Sequence, residues 1–137
     1  MRPLELRMPF RVMTYDIDFA GIVSNIVYIR WLEDLRIRML DEHMPLLPMM
    51  ASGRIPVLAS TQIDYKRPIR ITDAVEGAMW VHELGRSRWV MRAEFTANGQ
   101  LTTTAEQSGV MVDMGTLRPT PIPDDLRQKF EAAKGGA

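Results

Sequence analysis

The stretch Tyr15-Asp-Ile-Asp-Phe-Ala-Gly-Ile-Val-Ser-Asn-Ile-Val-Tyr-Ile-Arg-Trp-Leu-Glu33 sets two carboxylates and a glycine directly before a helical pattern. Gly21 supplies a flexible backbone position. Ser24 or Asn25 can cap the run that follows, because their side-chain oxygens accept from the N–H groups left over at a helix start. From Tyr28 onward Trp31, Leu32, Leu35 and Met39 return every three or four positions, one apolar stripe about 100° wide that faces a core. The opposite side carries Arg30, Asp34 and Arg38 at i, i+4 steps, and Glu33 with Arg36. These read as surface pairs worth a few tenths of a kcal/mol each. Ile37 falls opposite the stripe, as a lone surface apolar residue or a subunit contact. Upstream, Met8 to Thr14 can form a first strand, with Phe10 and Val12 on one face and Arg11 and Met13 on the other.

Downstream the helix ends near His43, since Pro45 and Pro48 cannot continue it, and a loop runs to Arg54. The period then switches to two. Val57, Ala59, Thr61, Ile63 and Tyr65 alternate with Leu58, Ser60, Gln62 and Asp64 until Lys66-Arg67-Pro68. Val75, Gly77, Met79 and Val81 make a third strand, and Gly85 turns the chain. Trp89, Met91, Ala93 and Phe95 make a fourth. Asn98-Gly99 is a hairpin turn, because both positions tolerate positive φ, and Leu101 to Asp113 returns. Pro119, Pro121 and Pro123 extend the chain, Asp124 caps a short helix from Asp125 to Lys134, and Gly135-Gly-Ala is a loose end. The order is α+β, one long helix covering one face of an antiparallel sheet of about five strands. The exposed edges of such a sheet favour pairing across a two-fold axis, hence a homodimer.

The 137 residues are 46% hydrophobic, enough for one domain with a real core over 1–137, taken as a core of about 8–113 and a C-terminal extension, 114–137. Seventeen basic and seventeen acidic residues cancel, so no global field draws the chain to nucleic acid or an anionic membrane. With no cysteine there is no disulfide, thiolate metal site or cysteine nucleophile, which is compatible with a cytoplasmic location. No segment approaches the ~20 apolar residues of a membrane span. Eleven methionines either fill an irregular core or line an adaptable apolar pocket, core filling being the simpler reading.

Asp16 reads as a turn cap or ion-pair partner. Asp18, held near a helix start, can act as general base or nucleophile while helix N–H groups polarise a carbonyl, the outline of an acyl-transfer site; a plain N-cap role explains it equally well. No metal is expected, because the acids lack further ligands and only His43 and His82 supply imidazoles.

Asp16-Ile-Asp18-Phe-Ala-Gly-Ile-Val23, followed by Tyr28, Trp31 and Glu33, resembles the signature of hotdog-fold acyl-CoA thioesterases, the 4-hydroxybenzoyl-CoA thioesterase-like group. Asp64-Tyr-Lys-Arg-Pro68, Asp73 and Glu83-Leu-Gly-Arg-Ser87 match further positions, so the resemblance runs from about Phe10 to Val112. It implies a hotdog fold and an enzyme that hydrolyses acyl-CoA to free acid and CoA. No cofactor is implied beyond the CoA of the substrate. Asp18 matches the catalytic carboxylate, the backbone N–H of Asn25 the carbonyl-polarising donor, and Gly21 the close chain approach. The site would lie between subunits of a dimer, or dimer of dimers. Ser60, Thr61 and Gln62 of the neighbour would orient acyl group or water, and Arg86 and Arg88 would meet CoA phosphates. Many relatives carry His or an aromatic residue at Asn25 and Asn at Val27, departures that bear on pocket shape. Hydrolysis of acyl-carrier-protein thioesters, and a non-catalytic acyl- or partner-binding hotdog module, are the rival readings.

Overall fold

The stripe Val27, Tyr28, Trp31, Leu32, Leu35 and Met39 is the buried side of the one long helix. The structure, a computed structural model, describes residues 1–135. In chain order it builds β1 (Leu6–Phe10), a 3-10 turn (Thr14–Asp16), α1 (Asn25–His43), α2 (Leu46–Ala51), β2 (Arg54–Tyr65), β3 (Val75–Leu84), β4 (Arg88–Ala97), β5 (Gln100–Asp113) and α3 (Asp124–Gly135). The five strands form one antiparallel sheet in the order β1-β3-β4-β5-β2. One face of it meets α1, the expected hotdog arrangement. No helix among the described residues is long and apolar enough to cross a membrane.

The core is organised by aromatic rings. Phe10, Tyr28, Trp31 and Phe95 pack with centroids 5.2 to 5.9 Å apart, mostly edge-on or tilted, the arrangement their quadrupoles favour. Gly77 makes room for them: a Cβ there would lie 2.6 Å from Phe10 and 2.9 Å from Phe95. On the other sheet face Arg7–Glu76 (2.9 Å) and Arg92–Glu106 (3.3 Å) stand in solvent, where such pairs add little stability, while Arg2–Glu94 (2.8 Å) is part-buried with the Arg2 guanidinium over the Trp80 ring.

Several expectations are corrected. The first strand is Leu6–Phe10 rather than Met8–Thr14, because β1 needs β3 as partner and their pairing ends at Phe10↔Val75; Val12 is buried all the same. The proline-bearing loop before Arg54 contains α2, since Pro45 and Pro48 fall at its N-cap and first turn, where a missing N–H leaves no helical bond unmade. The alternation in β2 does not run through. Ala59 bulges between Leu58↔Gly109 and Ser60↔Ser108, so Pro56 and Leu58 share a face with Thr61, Ile63 and Tyr65, while Val57 turns the other way. On α1, Arg36 pairs with Glu33 as expected, but Arg38 reaches Glu42 at 4.0 Å instead of Asp34. Residues 114–135 are more than an extension: Ile122 and Phe130 are buried in the main core. Gly135 belongs to α3, and the last two residues of the loose end lie outside the described residues.

Candidate active site

The 3-10 turn and a small hairpin carry the chain from β1 to α1, and the two acids do different work in it. Asp16 is buried. Its carboxylate accepts the Met13 N–H at 2.8 Å and its carbonyl accepts the Ser24 N–H at 2.9 Å, which fixes the loop to the helix start and makes Asp16 a turn cap. Asp18 opens the hairpin. Ile17 bridges Val23, the Asp18 N–H donates to the Ile22 carbonyl at 2.9 Å, and the Gly21 N–H returns to the Asp18 carbonyl at 3.0 Å. That tight turn requires φ of +78° at Gly21, which is why a glycine stands there. Ile22 and Val23 then lean on Ile69 and Arg70, so the hairpin is docked on both sides.

Asp18 is half-buried. Its Oδ1 accepts the Ala20 N–H at 2.8 Å, a local turn, and its Oδ2 has no protein partner among the described residues. Two residues past the hairpin α1 begins with Ser24 at its N-cap, yet the Ser24 side chain makes no capping bond. The first N–H groups of a helix have no acceptor within it, so those of Asn25 and Ile26 are left to other partners, at the positive end of the helix dipole. Asn25 itself is exposed. Asp18, Gly21 and Asn25 are thus brought together by one loop of one chain.

Tyr65, the last residue of β2, joins them. Its hydroxyl reaches the Asn25 carbonyl at 3.4 Å, its ring stands edge-on to Tyr28 at 5.1 Å, and burial pushes its phenol pKa up. Sequence reading placed Tyr65 on a strand without assigning it to the site. Its signal was its seat directly before Lys66-Arg67-Pro68, where the strand ends.

The other expected site residues do not meet Asp18 within one chain. Thr61 faces α1 and accepts from the Gln107 amide at 3.1 Å, and Gln107, fully buried, accepts in turn from Arg36 at 3.1 Å. Ser60 shares a 2.7 Å hydrogen bond with Ser108 on the opposite face, and Gln62 also lies on that outer face with Asp64 and Trp80. Gln62 is therefore set apart from Thr61. Arg86 and Arg88 are exposed at the β3–β4 hairpin, the far end of the sheet from Asp18. His43 closes α1, half-buried, with a pKa lowered chiefly by burial, and His82 is the exposed bulge residue of β3. Among the described residues no three His, Asp or Glu side chains gather as for a metal ion.

Residues 12–130 match the model of the thioesterase-like superfamily. The chain is 23% identical over 128 residues to the long-chain acyl-CoA thioesterase FadM of Escherichia coli (strain K12), covering 92% of this chain and 97% of that one. Among solved structures it resembles a thioesterase complexed with coenzyme A and Zn from Thermus thermophilus, at 30% identity and TM-score 0.81, over 94% of this chain and 93% of that one. The DHNA-CoA thioesterase of Staphylococcus aureus shares the fold, with TM-score 0.85 at 19% identity over 96% and 91%. With a family match spanning most of its length, on a five-stranded sheet wrapped by one long helix, the chain belongs to the thioesterase-like superfamily of hotdog proteins.

Proposed function

We propose that this protein hydrolyses acyl-CoA thioesters, with Asp18 as nucleophile or general base and the first N–H groups of α1 polarising the thioester carbonyl. Membership of the family makes it a thioester hydrolase; the observation that supports the mechanism is the half-free Asp18 carboxylate in the loop that leads into a helix start no side chain caps. As a base, Asp18 takes a proton from water while the water oxygen bonds to the carbonyl carbon; as a nucleophile, its own oxygen attacks. Either way the carbonyl oxygen gains charge facing the Asn25 N–H and the C–S bond breaks; in the base route the proton held by Asp18 passes to the departing CoA thiolate and the free acid is formed directly, and in the nucleophilic route an acyl-aspartyl anhydride remains, which water hydrolyses to the free acid, supplying the proton for the thiolate and regenerating Asp18. FadM's name makes long-chain acyl-CoA the first substrate to test.

The active unit is proposed as a dimer made through β2. This twelve-residue strand is an open sheet edge, and Val57 and Leu58 are 43% and 37% exposed at its middle. Antiparallel pairing of β2 with its copy sets the Tyr65 end of one strand beside the Arg54 end of the other. Arg86 and Arg88 of one copy then approach the Asp18 loop of the other, which accounts for their separation within one chain.

Asp18→Asn tests the chemistry. Losing a base is worth about 10²–10⁴ in rate, so thiol release should fall by that factor with the fold intact. Wild-type turnover in Asp18→Asn would rule the mechanism out. The Asx turn from Asp18 to Ala20 favours one other reading, a non-catalytic acyl-binding module, which would bind acyl-CoA saturably and release no thiol. Release from acyl-carrier-protein thioesters alone would move the substrate, not the chemistry.

A further inference from the structure

The loop that leaves β2 carries Lys66, Arg67 and Arg70, all exposed. Elsewhere Arg2, Arg7, Arg36, Arg38 and Arg92 each face an acid, whereas among the described residues none of these three does. The acid of this loop is already engaged: the Asp73 carboxylate accepts the Arg70 N–H at 2.8 Å and the Asn98 amide at 2.9 Å. Arg67 donates to the Gln100 side-chain oxygen at 2.9 Å, a neutral partner that leaves its positive charge uncompensated. Lys66 and Arg67, with Gln100 and Leu101, line an open recess at this end of the sheet. Cations gathered without an acid repel one another, and a bound anion relieves that repulsion.

The loop is held in place by its own contacts. The Lys66 and Arg67 N–H groups both donate to the Thr102 carbonyl, at 2.8 and 3.0 Å, and Ile69, between the cations in sequence, is fully buried. Pro68 restricts its own φ and the backbone of Arg67. A loop already ordered loses less freedom when a ligand binds.

It also adjoins the Asp18 hairpin. Ile22 bridges Arg70, the Val23 N–H donates to the Ile69 carbonyl at 2.8 Å, and Tyr65, next to Lys66, reaches Asn25. From Asp18 to Ile22 and on to Arg70 is two ladder steps, about 10 Å. In CoA the pantetheine arm between sulfur and pyrophosphate spans about as many bonds as four extended residues, roughly 14 Å. Arg86 and Arg88, beyond the far end of the ten-residue β3, stand about 30 Å away in the same chain. We infer that Lys66, Arg67 and Arg70 form a phosphate site in the same chain as Asp18, and that it takes the pyrophosphate of CoA, the phosphate group nearer the thioester. Guanidinium forks and an ammonium suit phosphate oxygens, and Arg86 and Arg88 of the other copy are left for the more distant ribose phosphate. This rests on the thioesterase reading for the identity of the ligand, not for the anion site itself.

Lys66→Gln with Arg70→Gln removes two exposed charges and no backbone hydrogen bond, so the fold should hold. The wild type should have a lower KM for lauroyl-CoA than for lauroyl-pantetheine, which carries no phosphate. In the double variant that gap should narrow roughly 5- to 30-fold at low salt. Lys66→Arg with Arg70→Lys keeps both charges and should keep the gap. An unchanged gap in the neutral variant, or an equal loss on both substrates, overturns the inference. Lauroyl-dephospho-CoA, which lacks the ribose phosphate, should show the same loss as lauroyl-CoA; no loss on it refutes the assignment to the pyrophosphate. Independently of turnover, inorganic pyrophosphate titrated into the wild type at low salt should shift the amide resonances of Lys66, Arg67 and Arg70, and less so as salt is raised. No shift there overturns the anion site whether or not the protein is an enzyme. A shift there without thiol release from any acyl-CoA keeps the anion site and rejects the thioesterase.

Discussion

Among the glycines, Gly109 is the one where an added Cβ would meet its neighbours most closely, between β5, β4 and β2, and Gly109→Ala is expected to be strongly destabilising. A Cβ there would overlap the Trp89 ring at Cζ2 and the carbonyl oxygen of Val57. Two escapes exist. Trp89 can swing out, which returns some of the 150–250 Å² an aromatic ring buries and, at about 25 cal/mol per Å², costs about 4–6 kcal/mol as an upper bound. Alternatively β2 shifts, which strains a ladder already interrupted at Ala59. Overpacking of this kind usually costs about 1–3 kcal/mol, and because one obstacle is backbone the upper end applies. About 3 kcal/mol corresponds to roughly 10 °C in Tm for a chain of this length. Urea denaturation followed by circular dichroism, at fixed protein concentration, reads it directly. Adding Trp89→Leu should restore part of the loss, since the ring is removed and the Val57 carbonyl stays. The Trp89 indole N–H has no hydrogen-bond partner among the described residues, so that second change breaks none there. Gly109→Ala within about 0.5 kcal/mol of wild type, the spread of an unremarkable surface change, would refute the packing argument.

Leu58→Lys, on the open edge of β2, removes at least about 1.5 kcal/mol of burial per copy and sets two charges near a dyad. The Kd of the proposed β2 dimer should rise about a hundredfold or more in sedimentation, with activity lost in parallel. An unchanged assembly would place the dimer elsewhere. His43 is held below its ordinary pKa first by burial and then by Lys129, with Glu42 opposing both. The folded state therefore binds fewer protons at this residue than the unfolded state. Its contribution is fully present above about pH 6.5 and is lost as pH falls through the lowered folded value. His43→Gln should flatten the decline in urea midpoint between pH 7 and pH 5; an unaltered slope would show that other groups carry it.

Period and turn chemistry revealed most of the fold. The 3.6-residue return of Trp31, Leu35 and Met39 located α1, and Asn98-Gly99 located the β4–β5 hairpin, where Asn98 and Gly99 take φ of 54° and 82°. What failed was non-local. Nothing near Met8 says that its partner is Gly77, so the local pattern alone starts the first strand too late. The bulge at Ala59 inserts one residue into a regular alternation and reverses its sense, which no count of alternating residues detects. The candidate loop is legible because its parts are local: Asp16, Asp18, Gly21 and the start of α1 lie within ten residues. Tyr65 is not, because it comes to Asn25 from a distant part of the chain. Eleven methionines suggested core filling, and only the structure shows four of them facing the same space.

Helix α3 has a dynamic meaning beyond its place at the end of the sheet. It is held by Ile122 and Phe130 in the core, by the Arg127 guanidinium donating to the Gly85 carbonyl, and by Lys129 donating to the His43 carbonyl at 3.2 Å. Two buried side chains at about 1.5–3 kcal/mol each set an undocking energy of about 3–6 kcal/mol. This lies at or below the total stability of an ordinary domain, so α3 can open on its own without the sheet unfolding. Its amides should then exchange with solvent as one cooperative unit, faster than those of β4.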